Sequence, residues 1–144
     1  MGQLHASAQV DWSGYRGEVR GSSGALAAAT STQAELGGPG EGTNPEELLA
    51  AAHANCFTST LTSLARRSEL PLDRVETSVT TELVWSDGHG DHRLGSSTVR
   101  VRIASPAPWE DVERLVEETE RECPVCRAIA GNVPMRVELA RLET

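Results

Sequence analysis

Residues 37–47 carry the strongest structural instruction in this chain. Gly37-Gly38-Pro39-Gly40-Glu41-Gly42 is a run of breakers that no helix or strand tolerates, and it passes directly into Thr43-Asn44-Pro45-Glu46-Glu47. Asn44 offers a side-chain acceptor to the free backbone N–H groups of a first turn, and Pro45 brings the helical φ with no N–H to leave unsatisfied. Glu46 and Glu47 set negative charge at the positive end of the dipole. The spacing predicts a helix to about Arg67. Leu49, Ala52, Cys56, Thr60 and Leu64 form one stripe at intervals of three or four, Arg66 and Arg67 suit a C-terminus, and Pro71 lies just beyond. A chain with one long helix at its centre must cover that helix with whatever its flanks supply.

The flanks read mostly as strands. Ala6 to Trp12 alternates weakly, Leu26 to Thr30 forms a second short run, and Ser13-Gly14 and Gly21-Ser22-Ser23-Gly24 mark turns. Val75, Thr77, Val79, Thr81, Leu83 and Trp85 share one face of a period-two stretch. Ser86 to Asp91 reads as a hairpin loop. In the returning strand Val99, Val101 and Ile103 point inward, with Arg100 and Arg102 outward. After Pro106-Ala107-Pro108 a second helix spans about Trp109 to Arg121, with Trp109, Val112, Leu115, Val116 and Thr119 on its apolar side, and a last strand runs from about Val133 to Leu142. This order predicts a single α+β domain over 1–144 with antiparallel sheet and segregated helices. Only 3% of the residues are aromatic, so the core is built of Leu, Val and Ala, and part of the stability is expected from an oligomer interface.

The charge pattern removes several function classes. The net charge is −8, all 13 basic residues are Arg, and no stretch forms a basic patch, which argues against a nucleic-acid partner. Met1 to Val10 has neither the charged start nor the apolar run of a secretion signal. The most apolar segment, Leu48 to Ala65, is broken by His53, Asn55 and several Thr and Ser, so no membrane insertion and a cytoplasmic location are expected.

Three cysteines in such a chain argue against a disulfide framework. Cys56 lies on the apolar stripe, where a buried, inert thiol is the ordinary reading. A reactive one needs a nearby cation to lower its pKa, for which Arg16 and Arg20, both read as lying in glycine-flanked turns, are the upstream candidates. Cys123-Pro124-Val125-Cys126 is a CxxC motif with three readings: a redox dithiol, half of a zinc site, or one useful cysteine beside an incidental neighbour. Zinc lacks support, because no second CxxC or HxxxH spacing accompanies the motif. No metal and no cofactor are expected. His53, three residues before Cys56, could serve as a base but reads first as a satisfied core or interface residue, His89 and His92 read as solvated loop residues, and Glu110 to Glu122 as the wet face of a helix.

Two segments together resemble the OsmC/Ohr family of organic hydroperoxide reductases. They are Gly42-Thr43-Asn44-Pro45-Glu46-Glu47-Leu48 followed by Ala50-Ala51-Ala52-His53-Ala54-Asn55-Cys56-Phe57, and, further on, Cys123-Pro124. Glu35-Leu36-Gly37-Gly38 and Gly131-Asn132-Val133 look closer to the Ohr branch, and Ala51 to Phe57 with His53 to the OsmC branch. The resemblance implies an intertwined homodimer, with antiparallel sheets around two long central helices. It places the peroxidatic cysteine at Cys56, the resolving cysteine at Cys123, the glutamate of the Asn-Pro-Glu motif at Glu46 and the active-site arginine at Arg16, with Arg20 competing for that last role. Cys126 departs from the family, which commonly has Ser there.

That resemblance implies a mechanism. Arg16, oriented by a bidentate pair with Glu46, lowers the Cys56 pKa; Cys56 attacks an organic hydroperoxide and becomes a sulfenic acid; Cys123 closes a Cys56–Cys123 disulfide, which an external dithiol, lipoyl-type or other, reduces. An apolar wall with Leu49, Ala52 and Phe57 suits an alkyl or lipid substrate. The competing expectations are a redox-sensing or ligand-binding protein on the same fold, a zinc module, and a structural dimer with inert thiols.

Overall fold

A computed structural model describes residues 1–143, His89 for its backbone only; Thr144 and the side chain of His89, which the sequence places in a solvated loop, lie outside the described residues. The protein is α+β, with two three-stranded sheets. It divides into two compact units, Met1–Leu48 and the chain from Leu49 onward.

In the first unit, β1 (Ala8–Ser13), β2 (Arg16–Gly21) and β3 (Ala27–Ser31) form an antiparallel meander. The sequence reading left β2 out and put Arg16 and Arg20 in turns. Both are strand residues, in register opposite Ser13 and Gln9. Residues 16, 18 and 20 are exposed and only Val19 is buried, so the strand's outer face is charged and its single inward anchor is too little to show as a pattern. After β3 the breaker run folds back on it. Gly42 has φ +85, and a Cβ there would strike the Ala29 carbonyl oxygen. Glycine therefore lets the chain lie against β3, where Thr43 N–H donates to Ala29 O at 2.8 Å and Thr43 pairs with Thr30. The helix start is as the sequence implies: Asn44 Oδ1 accepts from the Glu47 amide at 2.9 Å, and the Thr43 hydroxyl bonds Glu47 Oε1 at 2.7 Å. Helix α1 spans Pro45–Arg67.

In the second unit, β4 (Arg74–Ser86) and β5 (Gly90–Ala104) form a long hairpin closed by a short 3-10 turn, and β6 (Met135–Arg141) pairs with β5. That last pairing is parallel, so the sheet is mixed and not antiparallel throughout. The reason is connectivity: α2 (Trp109–Glu122) and a second, six-residue helix α3 (Pro124–Ile129) carry the chain back before β6 starts, as a crossover must. The alternation read from sequence is observed in β5, where Val99, Val101 and Ile103 are buried while Arg100 pairs with Glu138 and Arg102 with Glu76 on the outer face. Trp85 departs from its strand's pattern; it is exposed, with its ring centroid 6.2 Å from that of His92.

The core of this unit joins Phe57, Leu61, Leu64 and Ala65 of α1, the three inward residues of β5, Val112, Leu115 and Val116 of α2, and Cys123 and Cys126. The α1 stripe expected from spacing is therefore turned by one position. The buried line is His53, Phe57, Leu61, Leu64 and Ala65, and Cys56 stands at its edge, half-buried. Phe57 and Leu61 are larger than Ala52 and Thr60, and burying them removes more apolar surface from water.

Candidate active site

Pro124 sets the geometry of the CxxC segment. A residue before proline is driven out of the helical region, and Cys123 has φ −61 and ψ 117, which ends α2 and begins α3 with Pro124 in its first turn. Cys123 thus serves two helices at once. Its N–H donates to Thr119 O at 2.8 Å, and its sulfur accepts from the Cys126 amide at 3.4 Å. Both Cys123 and Cys126 are buried. All three cysteines are free thiols.

Cys56 comes to this junction from α1. Burial is the largest influence on its thiol and pushes the pKa up; the Cys123 side chain pushes the same way, while the Val125 backbone N–H and the Thr60 hydroxyl pull it down. Cys126 is driven up strongly, first by burial and then by Cys123, with Glu120 and Cys56 adding negative charge nearby. The structure therefore gathers the two cysteines the sequence analysis paired and adds the third.

His53 is fully buried. Its Nδ1 lies 2.9 Å from Ser97 Oγ, and its Nε2 lies 3.2 Å from Cys126 Sγ. Burial lowers its pKa, so the ring is neutral at ordinary pH. It is the satisfied core histidine the sequence suggested, but its partners were not foreseen: Ser97, buried on β5, reads in sequence only as one of a Ser-Ser-Thr run. Phe57 is fully buried in the core and does not line an apolar wall open to substrate; Leu49 is half-buried and Ala52 exposed.

The two charged candidates lie in the first unit. Arg16 uses Nε and Nη2 to hold Glu41 Oε2 at 3.1 Å, with both side chains well exposed. Glu46 accepts a hydrogen bond from Gln33 Nε2. In this chain the partner of Arg16 is thus Glu41 rather than Glu46. Arg20 pairs with Glu18, its neighbour on the same strand face, at 2.9 Å. Among the described residues no group of three or more His, Cys, Asp or Glu is arranged to hold a metal ion, and no helix is long and apolar enough to cross a membrane.

Residues 38–138 match the family model described as OsmC-like protein. The chain is 32% identical to YmaD of Bacillus subtilis (strain 168), covering 96% of this chain and 95% of that one. It is 34% identical to the organic hydroperoxide resistance protein of Xanthomonas axonopodis pv. citri, covering 88% of each. Among solved structures, an organic hydroperoxide resistance protein OsmC from Legionella pneumophila aligns with a TM-score of 0.84 at 28% identity, covering 97% of this chain and 99% of that one. An organic hydroperoxide resistance protein from Vibrio cholerae, with captopril bound in one of its active sites, aligns with a TM-score of 0.81 at 27% identity, covering 96% and 93%.

Proposed function

The chain belongs to the OsmC-like protein family, and from that membership we propose that it is a thiol peroxidase that reduces organic hydroperoxides to alcohols through Cys56. The observation that carries the reading is the grouping of Cys56 with the Cys123 thiol where α2 gives way to α3. The Cys56 thiolate attacks the distal peroxide oxygen. The O–O bond breaks, the alkoxide takes a proton and leaves as alcohol, and Cys56 becomes a sulfenic acid. The Cys123 sulfur then attacks Cys56; water leaves and a disulfide forms. An external dithiol of lipoyl or other type restores both thiols by exchange.

Burial opposes the first step, because it disfavours the thiolate. A cation must offset it, and the family resemblance assigns that task to Arg16, with Glu46 as the carboxylate that orients the guanidinium. An exposed ion pair such as Arg16–Glu41 contributes little, so exchanging its partner costs little. The same resemblance, together with the aromatic-poor composition and the exposed Val10, Trp12 and Tyr15, supports a homodimer. A cytoplasmic location is part of the reading, since a dithiol reductant is kept reduced there.

One observation favours a second reading, a non-catalytic redox-sensing or ligand-binding protein on the same fold: the Cys56 thiol is held up, not down. Consumption of cumene hydroperoxide by the pre-reduced protein, with dihydrolipoamide or dithiothreitol as reductant, separates the two. Turnover that disappears in Cys56→Ser, with a Cys56–Cys123 disulfide found by mass spectrometry in the oxidised wild type, supports the peroxidase; absence of consumption with either dithiol leaves the second reading.

A further inference from the structure

The three-thiol cluster holds one more nucleophile than the proposed cycle uses, and that nucleophile has a base. Cys126 is buried within α3, and its sulfur faces His53 Nε2 at 3.2 Å. The other ring nitrogen is engaged by Ser97 at 2.9 Å. This second contact holds the ring in place; in the tautomer with Nδ1–H donating to Ser97 Oγ, Nε2 presents its lone pair to the Cys126 S–H. A fully buried imidazole is a costly filler for a core that Leu or Val would serve as well, and here both nitrogens are aimed, one at a support and one at a thiol. On its other side Cys126 interacts with Cys123, whose sulfur is bound by the Cys126 amide itself at 3.4 Å. The two cysteines are separated by one turn that starts at a proline, a compact arrangement in which the two thiols interact.

We propose that Cys126 is a third redox-active thiol of the cycle, which takes Cys123 from the Cys56–Cys123 disulfide with His53 as its base. The proposal rests on the peroxidase reading above. As the Cys126 sulfur attacks the Cys123 sulfur, its proton moves to His53 Nε2 in the same step, because burial favours neither a free Cys126 thiolate nor a standing imidazolium. The Cys56–Cys123 bond breaks as the Cys123–Cys126 bond forms, and Cys56 leaves as a thiolate that takes the proton back from His53 or from solvent. Nothing is oxidised or reduced overall; the disulfide moves one sulfur along. The outcome is that Cys56, the half-buried thiol, is free again while the two buried sulfurs hold the oxidising equivalents.

The two pathways differ in stoichiometry. Fully reduced protein, freed of reductant, is given two equivalents of cumene hydroperoxide per chain, then acid-quenched and alkylated at intervals, and its disulfides are mapped by mass spectrometry. Wild type is expected to consume two equivalents, the second oxidising the regenerated Cys56, with a Cys56–Cys123 disulfide appearing first and Cys123–Cys126 replacing it. Cys126→Ser and Cys126→Ala are each expected to stop at one equivalent with Cys56–Cys123 as the end product, a twofold change. Wild type that stops at one equivalent, keeps Cys56–Cys123 and leaves Cys126 open to alkylation after denaturation would overturn the proposal, a result that needs no variant to fold. Failure of the underlying reading has a different signature: no hydroperoxide is consumed and all three thiols are alkylated.

Discussion

At the scale of single residues, the site is governed by how burial acts on groups that must change charge. For Cys56 burial raises the pKa, so any ionisation near neutral pH must come from a cation. If Arg16 supplies it, Arg16→Gln raises the midpoint of the pH profile for Cys56 alkylation by iodoacetamide by roughly one unit or more; an unchanged midpoint removes Arg16 from that role. His53 gives a prediction for stability. Its folded pKa lies below 6.5, so above pH 6.5 folded and unfolded chains are both neutral there. As the pH falls below 6.5 the unfolded chain takes up a proton that the folded one refuses, and stability falls by up to about 1.4 kcal/mol per pH unit until the folded value is reached. Thermal melts of wild type and His53→Gln between pH 7.5 and 5.5 check this, the variant losing less over that range. The three thiols and His53 were legible in sequence as candidates, because their side-chain chemistry is rare. Which atoms meet was not: Ser97 and Cys126 reach His53 from elements 44 and 73 residues away, and no local spacing encodes that.

At the scale of elements, the cues that proved legible were those with a local physical cause. The start of α1 is written in Asn44-Pro45 and its end in Arg66-Arg67, and both are observed. Asn44→Ala removes the acceptor for the Glu47 amide and should cost about 1 kcal/mol, measured by urea unfolding. Leu61→Ala, on the fully buried line of the same helix, should cost about 2–5 kcal/mol in the same experiment. The α1 stripe was misread by one position because Cys56 and Thr60 count as apolar in spacing, while volume decides which side is buried. β2 escaped notice since Arg16, Glu18 and Arg20 face solvent and glycines stand at 17 and 21. α3 did so because six residues are too few to show a helical period. The direction of β6 is a property of the connection before it, which strand periodicity does not record.

At the scale of the whole molecule, the thin core and the apolar side chains on β1 lead to a test of assembly. The protein should sediment as two chains, and Trp12→Arg should shift it toward one; a wild-type monomer would count against the proposed homodimer. The placement of β6 has a consequence for how the protein is made. β4 and β5 are neighbours in sequence and can pair as soon as they are synthesised, but β5 is the middle strand, and its second edge is covered only by residues 135–141. Until that segment has left the ribosome, the stretch of β5 from Ser97 to Ile103, which carries Val99, Val101 and Ile103, presents an unpaired edge. Translation that stalls between α2 and β6 therefore releases a sticky nascent chain, and the interval over which the emerging polypeptide depends on chaperones is set by the length of the crossover rather than by the size of the protein.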